Sequence, residues 1–196
     1  MFVLMLIIGY LFGSINSAIL TCYALRLPSP RSIGSGNPGA TNVLRLGGKK
    51  AAAITLIGDA LKGFIPVMIA HTLGLTNLEI GYVALLAVLG HIFPIFFGFK
   101  GGKGVATLIG VMLGFYWLVG IIFLIIWLLC ALITKYSSLS ALIATLISAL
   151  STILLFNITT AIPFLIMAII IILRHSQNIQ RLIQGTESKI GQKSKK

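Results

Sequence analysis

The stretch Gly104–Ile133, GVATLIGVMLGFYWLVGIIFLIIWLLCALI, runs for thirty residues without a charge. As one helix it would be ~45 Å long at 1.5 Å per residue, well beyond the ~30 Å hydrocarbon core of a bilayer. Both of its ends are basic, with Lys100 and Lys103 before it and Lys135 after it. Loops rich in Lys and Arg stay on the inner side of a membrane, so a single straight span would leave one basic end on the wrong side. The stretch therefore predicts a helical hairpin, with arms of ~12 to 15 residues and a turn near Tyr116 and Trp117.

The same bookkeeping extends outward from the hairpin. The chain has 196 residues, of which 58% are hydrophobic and 9% charged. A soluble globule carries about a quarter charged residues, so that class is excluded. The net charge of +12 would point to nucleic acid in a soluble chain, but here the basic residues mark loops between spans, and no nucleic-acid partner is expected. Arg26, Arg31, Arg45, Lys49 and Lys50 mark the first inside loop, Lys100 and Lys103 the second, Lys135 the third, and Arg174 with the Lys-rich tail the C-terminus. Breaks at 74–77 and 157–160 carry no base and face outside. The expectation is an all-α, polytopic membrane protein with seven helical segments, at roughly 2–25, 51–73, 78–97, 104–115, 118–134, 138–156 and 161–184. Its N-terminus is outside and its C-terminus cytoplasmic. Residues 1–187 form one integral membrane domain, followed by a basic cytoplasmic tail, 188–196. The N-terminal run lacks the basic start of a cleaved signal and reads as a retained span. Cys22 and Cys130 show no disulfide or metal pattern.

Three clusters on the inside interrupt this apolar chain. The first is GSGNPGATNVLR, Gly34 to Arg45. Small residues at Gly34, Ser35, Gly36, Asn37, Gly39, Thr41 and Asn42 permit backbone amides to converge on an anion such as a phosphate. Thr41 or Asn42 can cap the next helix, and Arg45 can grip phosphate through two donors. A flexible connector rich in turn formers is the competing reading. The second cluster, GHIFPIFFGFKGGKGVAT (Gly90 to Thr107), offers Lys100, Gly101, Gly102, Lys103, Gly104 and Thr107 at the start of a helix. Its spacing is not that of a nucleotide-binding Walker loop, and its lysines can equally be surface anchors. The third is RHSQNIQRLIQGTE, Arg174 to Glu187. On a continuing helix, Arg174, Asn178 and Arg181 would share a face beside His175; a basic stop signal is the alternative. Within the spans, Asp59 and Lys62 at i, i+3 should neutralise each other, as a structural pair or in support of the phosphate site. His91 is a core group or a helper of that site, and His71 reads as interfacial.

These clusters, in this order and with GDALKG between the first two, resemble the three signature regions of the bacterial membrane glycerol-3-phosphate acyltransferases that use acyl phosphate as donor. The resemblance covers nearly the whole chain. It implies a seven-helix protein of the bacterial inner membrane that acts on acyl phosphate and glycerol 3-phosphate at the cytoplasmic face, beside membrane lipids, without metal or other cofactor. The product would be lysophosphatidic acid, the first step of phospholipid synthesis. By the same resemblance Ser35, Arg45, Lys103, His175 and Asn178 are the central positions, with Ser138 in a further family-like segment and Arg181 and Glu187 in the third region. A transporter or binding protein for an organic phosphate is the alternative, although the chain has no internal repeat of the kind transporters usually show. The His-x-x-x-x-Asp pair common among thioester-using acyltransferases is absent: Thr76, Phe96 and Gln180 stand at that spacing from the three histidines.

Overall fold

A chain surrounded by hydrocarbon has to pair its backbone amides and carbonyls internally. Among the described residues this one does so with helices alone. The computed structural model describes residues 1–191; residues 192–196, the end of the expected basic tail, lie outside the described residues. The helices are α1 (Phe2–Gly13), α2 (Ser17–Ala24), α3 (Ala40–Thr72), α4 (Asn77–Ile92), α5 (Val105–Phe115), α6 (Trp117–Thr134), α7 (Ser137–Leu155), α8 (Ile158–Arg174) and α9 (Ser176–Ile183). Among the described residues, five helical stretches are long and apolar enough to cross a bilayer, or six if α8 and α9 count as one span; α5 is shorter.

The hairpin is present. Tyr116 is extended (φ −157°, ψ 111°) and separates α5 from α6. Both ends of the hairpin reach the same polar cluster. Lys103, just before α5, donates to Asn178 Oδ1. Asn178 Nδ2 donates to Glu187 Oε1 (2.6 Å), and so does Ser138 Oγ (2.6 Å), just after α6. The arms are unequal, with 11 residues in α5 and 18 in α6.

Three expected segments differ. The first is broken at Ser14–Asn16, because the Asn16 side chain accepts from the Ile19 amide (3.1 Å) and starts a new helix. The second begins earlier, at Ala40, with a break in helical geometry at Gly48 (φ 72°, ψ −170°), a conformation glycine adopts without steric cost. The last breaks at His175, with α9 turned 58° from α8. Arg174 consequently leaves the face expected of it and sits 6.0 Å over the Phe93 ring, whereas Asn178 and Arg181 turn toward the cluster.

Helix association in lipid rests on close packing, since lipid tails are as apolar as leucine. The α3–α5 crossing is made of glycine for this reason. A Cβ on Gly110 would lie 1.9 Å from the Ala60 carbonyl oxygen, and one on Gly63 2.5 Å from that of Thr107. Around α5 the buried core contains Phe115, Phe123, Phe164, Met167 and Ile171, with the Phe115 and Phe164 rings 4.6 Å apart. Apolar side chains such as Ile133 and Leu154 point outward instead, as lipid-facing positions do.

Candidate functional site

The first glycine loop is held by one side chain. Asn42 Nδ2 donates to the carbonyls of Pro30 (2.8 Å) and Ile33 (3.0 Å), and its Oδ1 accepts from the Ser35 amide (3.1 Å). Asn42 therefore clamps the loop and does not cap α3, whose N-cap is Gly39 without any side-chain bond. Gly34, with φ +68°, passes so close that a Cβ there would lie 2.2 Å from Asn42 Oδ1. The amides of Ala40 and Thr41, in the first turn of α3, have no intrahelical acceptor and form the positive end of that helix. Arg31 ties the two loops together, donating to the carbonyls of Phe97 (2.7 Å) and Lys100.

These elements surround a cavity of about 570 Å³. The first loop contributes Gly34, Ser35, Asn37, Gly39, Thr41, Asn42 and Arg45, and the second contributes Lys103 and Gly104. His91, Ser138, His175, Asn178, Arg181 and Glu187 add to its polar wall. Six expected residues stand outside the lining. Gly36 donates to the Ile33 carbonyl within its own loop (3.3 Å). Lys100 is exposed. The amides of Gly101 and Gly102 are bonded to the Ile92 (3.1 Å) and His91 (3.2 Å) carbonyls and so are not free for an anion. Thr107 and Lys62 lie one layer behind, Thr107 Oγ1 3.0 Å from His91 Nδ1 and Lys62 Nζ 2.7 Å from Asp59 Oδ1.

Glu187 is the hub of the polar wall. Its carboxylate accepts from Ser138, Asn178 and Arg181 Nε (2.7 Å). Burial pushes its acidity down, but those hydrogen bonds and the Arg181 charge outweigh burial and hold the carboxyl below the usual range. Lys103 is pushed down to about 8, first by burial and then by the Arg181, Arg174 and Arg45 charges, with Glu187 opposing. His175 is buried, and its Nδ1 lies 2.8 Å from the Ile171 carbonyl oxygen. A carbonyl only accepts, so Nδ1 carries the hydrogen and the neutral ring keeps an accepting lone pair on Nε2. Arg45 donates to Ser188 Oγ (2.7 Å), and both residues line the cavity.

The lining also has an apolar wall, built from Leu56, Val105, Ile109, Leu124 and Trp127. Sequence reasoning missed this wall, because Leu124 and Trp127 look like any lipid-facing positions of α6. It also missed the Arg31 clamp, and Asp59 as a lining residue; the charge of Asp59 inside a span was the available signal.

Fold and cavity together define a class: a multi-span helical membrane protein with a pocket lined by both cationic and apolar side chains. A sequence model described as glycerol-3-phosphate acyltransferase matches residues 3–185, and the chain belongs to that family. It is 64% identical over 190 residues, 97% of this chain and 93% of the other, to the glycerol-3-phosphate acyltransferase of Francisella tularensis subsp. holarctica strain FTNF002-00 / FTA. It is 61% identical over 191 residues, 97% of this chain and 94% of the other, to that of Francisella philomiragia subsp. philomiragia. Among solved structures it is similar to PlsY, an integral membrane glycerol 3-phosphate acyltransferase. The glycerol 3-phosphate form has a TM-score of 0.91 at 38% identity, covering 97% of this chain and 96% of that one. The lysophosphatidic acid form has a TM-score of 0.89 at 36% identity, covering 97% and 95%. The protein is thus an integral membrane acyltransferase of this family.

Proposed function

We propose that this enzyme moves a fatty acyl group from acyl phosphate to the 1-hydroxyl of sn-glycerol 3-phosphate, releasing lysophosphatidic acid and inorganic phosphate at the cytoplasmic face of a bacterial inner membrane. The observation that carries the reading is the mixed lining of the cavity. Arg45, Lys103, Arg181 and the start of α3 bring positive charge to its lining, and Leu56, Ile109, Leu124 and Trp127 bring an apolar wall to the same cavity. Both substrates bear phosphate, and one also bears a chain.

The chemistry follows from these groups. The acceptor's hydroxyl oxygen attacks the acyl carbon, the bond from that carbon to the phosphate oxygen breaks, and the hydroxyl proton passes to the leaving phosphate or to His175 Nε2. An acyl phosphate is already an activated anhydride, so orientation and charge stabilisation suffice. Lys103 and Arg45 balance phosphate charge, Ser35 with the first-turn amides of α3 orients the donor and its developing oxyanion, and His175 with Asn178 faces the acceptor. The cytoplasmic assignment rests on the basic residues gathered at this end of the bundle, Arg31, Arg45, Lys103 and Arg181 among them.

The test is to give purified protein a long-chain acyl phosphate and glycerol 3-phosphate, and to measure lysophosphatidic acid and phosphate together. One-to-one formation of both, with little product from acyl-coenzyme A at equal concentration, is the expected result. Comparable rates from both donors would remove acyl phosphate from the proposal.

A further inference from the structure

We propose that His91, braced by Asp59 and Lys62, is a positioning residue that sets where the Lys103 ammonium stands in the cavity. This rests on the phosphate-binding role given to Lys103 above. The three side chains are buried, at 5%, 2% and 4% exposure. Charges in such a setting are costly and are retained where they meet specific partners. Here the partners form one line across the bundle. Lys62 Nζ donates to the Ile15 carbonyl (2.6 Å), which the break between α1 and α2 leaves without a helical partner, and pairs with Asp59 Oδ1. Asp59 Oδ1 lies 3.6 Å from His91 Nδ1.

His91 then grips the second glycine loop on both sides of Lys103. Before Lys103, the His91 carbonyl accepts from the Gly102 amide, and the ring lies so close that a Cβ on Gly102 would stand 2.3 Å from Nε2. The same Cβ would stand 3.0 Å from the Pro38 carbonyl oxygen of the first loop, so the two loops also meet at this ring. After Lys103, Nδ1 is bonded to Thr107 Oγ1 in the first turn of α5. A chain held by its backbone at Gly102 and by its side chain at Thr107 leaves the intervening lysine little choice of origin. A side chain that needs placement within about half an ångström is served by such fixed supports.

A double-mutant cycle tests this. His91→Gln should lower kcat/KM for glycerol 3-phosphate by about tenfold, the worth of one hydrogen bond to a supporting group, with protein still monodisperse in detergent. Thr107→Val, which removes only the hydroxyl on the far side of Lys103, should lower it several-fold and serves where His91→Gln does not fold. In a Lys103→Ala background both losses should vanish, because there is no ammonium left to misplace. Losses that multiply undiminished with Lys103→Ala would overturn the proposal and make His91 a general support of the fold. Lys103→Ala with unchanged activity would instead overturn the role of Lys103 itself, a distinct failure.

Discussion

Replacing Lys103 by alanine isolates the charge on which the proposed chemistry leans most. The side chain is half-buried, reaches Asn178 across the cavity, and shares the polar wall with Arg45 and Arg181. One charge-assisted contact to phosphate is worth ~2 to 3 kcal/mol, so Lys103→Ala should lower kcat/KM by roughly thirty- to 150-fold at 1.36 kcal/mol per tenfold. The other cations remain, so activity should fall without vanishing. The pH profile sharpens the test. Burial and the neighbouring cations push Lys103 down to about 8, so in the free enzyme it is charged below that pH and neutral above it. Since kcat/KM reports groups of the free enzyme, its alkaline limb should fall from about pH 8, while substrate phosphates are already fully ionised there. Lys103→Arg keeps its charge throughout and should lose that limb even if its rate is lower. The assay is release of inorganic phosphate in detergent or nanodiscs, corrected for spontaneous anhydride hydrolysis. A Lys103→Ala rate within threefold of the parent, or an unchanged alkaline limb in Lys103→Arg, would refute the reasoning.

Three other outcomes are expected. Ser35 Oγ accepts only a long 3.4 Å bond from the Asn37 amide and has no base beside it among the described residues, so rapid quench with labelled donor should trap no acyl-serine; a labelled Ser35 would establish a covalent route. Cysteines placed next to Lys100 and next to Lys135 should react with an impermeant thiol reagent from the same, cytoplasmic side, and labelling from opposite sides would contradict the membrane placement of the hairpin. Glu187→Ala leaves Ser138, Asn178 and Arg181 without their shared acceptor, so trypsin should cut at Lys189 at least about ten times faster, since even one of the three lost hydrogen bonds is worth about that; unchanged cutting would show that other contacts hold this segment.

The parts of the fold visible in the sequence were those governed by charge and length. Lys103 and Lys135 at the two ends of thirty apolar residues required the chain to turn back, and it does so at Tyr116. The helix breaks were less visible. Asn16 is a good N-cap, but in an apolar run it competes with the continuous-span reading, and its bond to the Ile19 amide settles the matter locally. His175 ends α8 where periodicity alone carries the helix onward, so the face that periodicity gives Arg174 is not the one it takes. Within the site, the residue types were legible and their partners were not. Asn42 has the same chemistry whether it caps a helix or clamps a loop, and only the positions of Pro30 and Ile33 decide between the two. Gly101 and Gly102 likewise looked like anion ligands, whereas close approach to α4 accounts for them.

Two residues of the apolar wall, Leu56 and Leu124, are 46% and 37% exposed although both line the cavity, so this wall ends at the lipid and not at water. A product with a sixteen-carbon chain would face about 0.8 kcal/mol for every methylene drawn into water, more than 10 kcal/mol in all. Leaving sideways between α3 and α6 involves no such step, because the chain passes from one hydrocarbon surrounding to another. Turnover by this enzyme should therefore respond to the fluidity of the bilayer around α3 and α6, a property of the host membrane as much as of the protein.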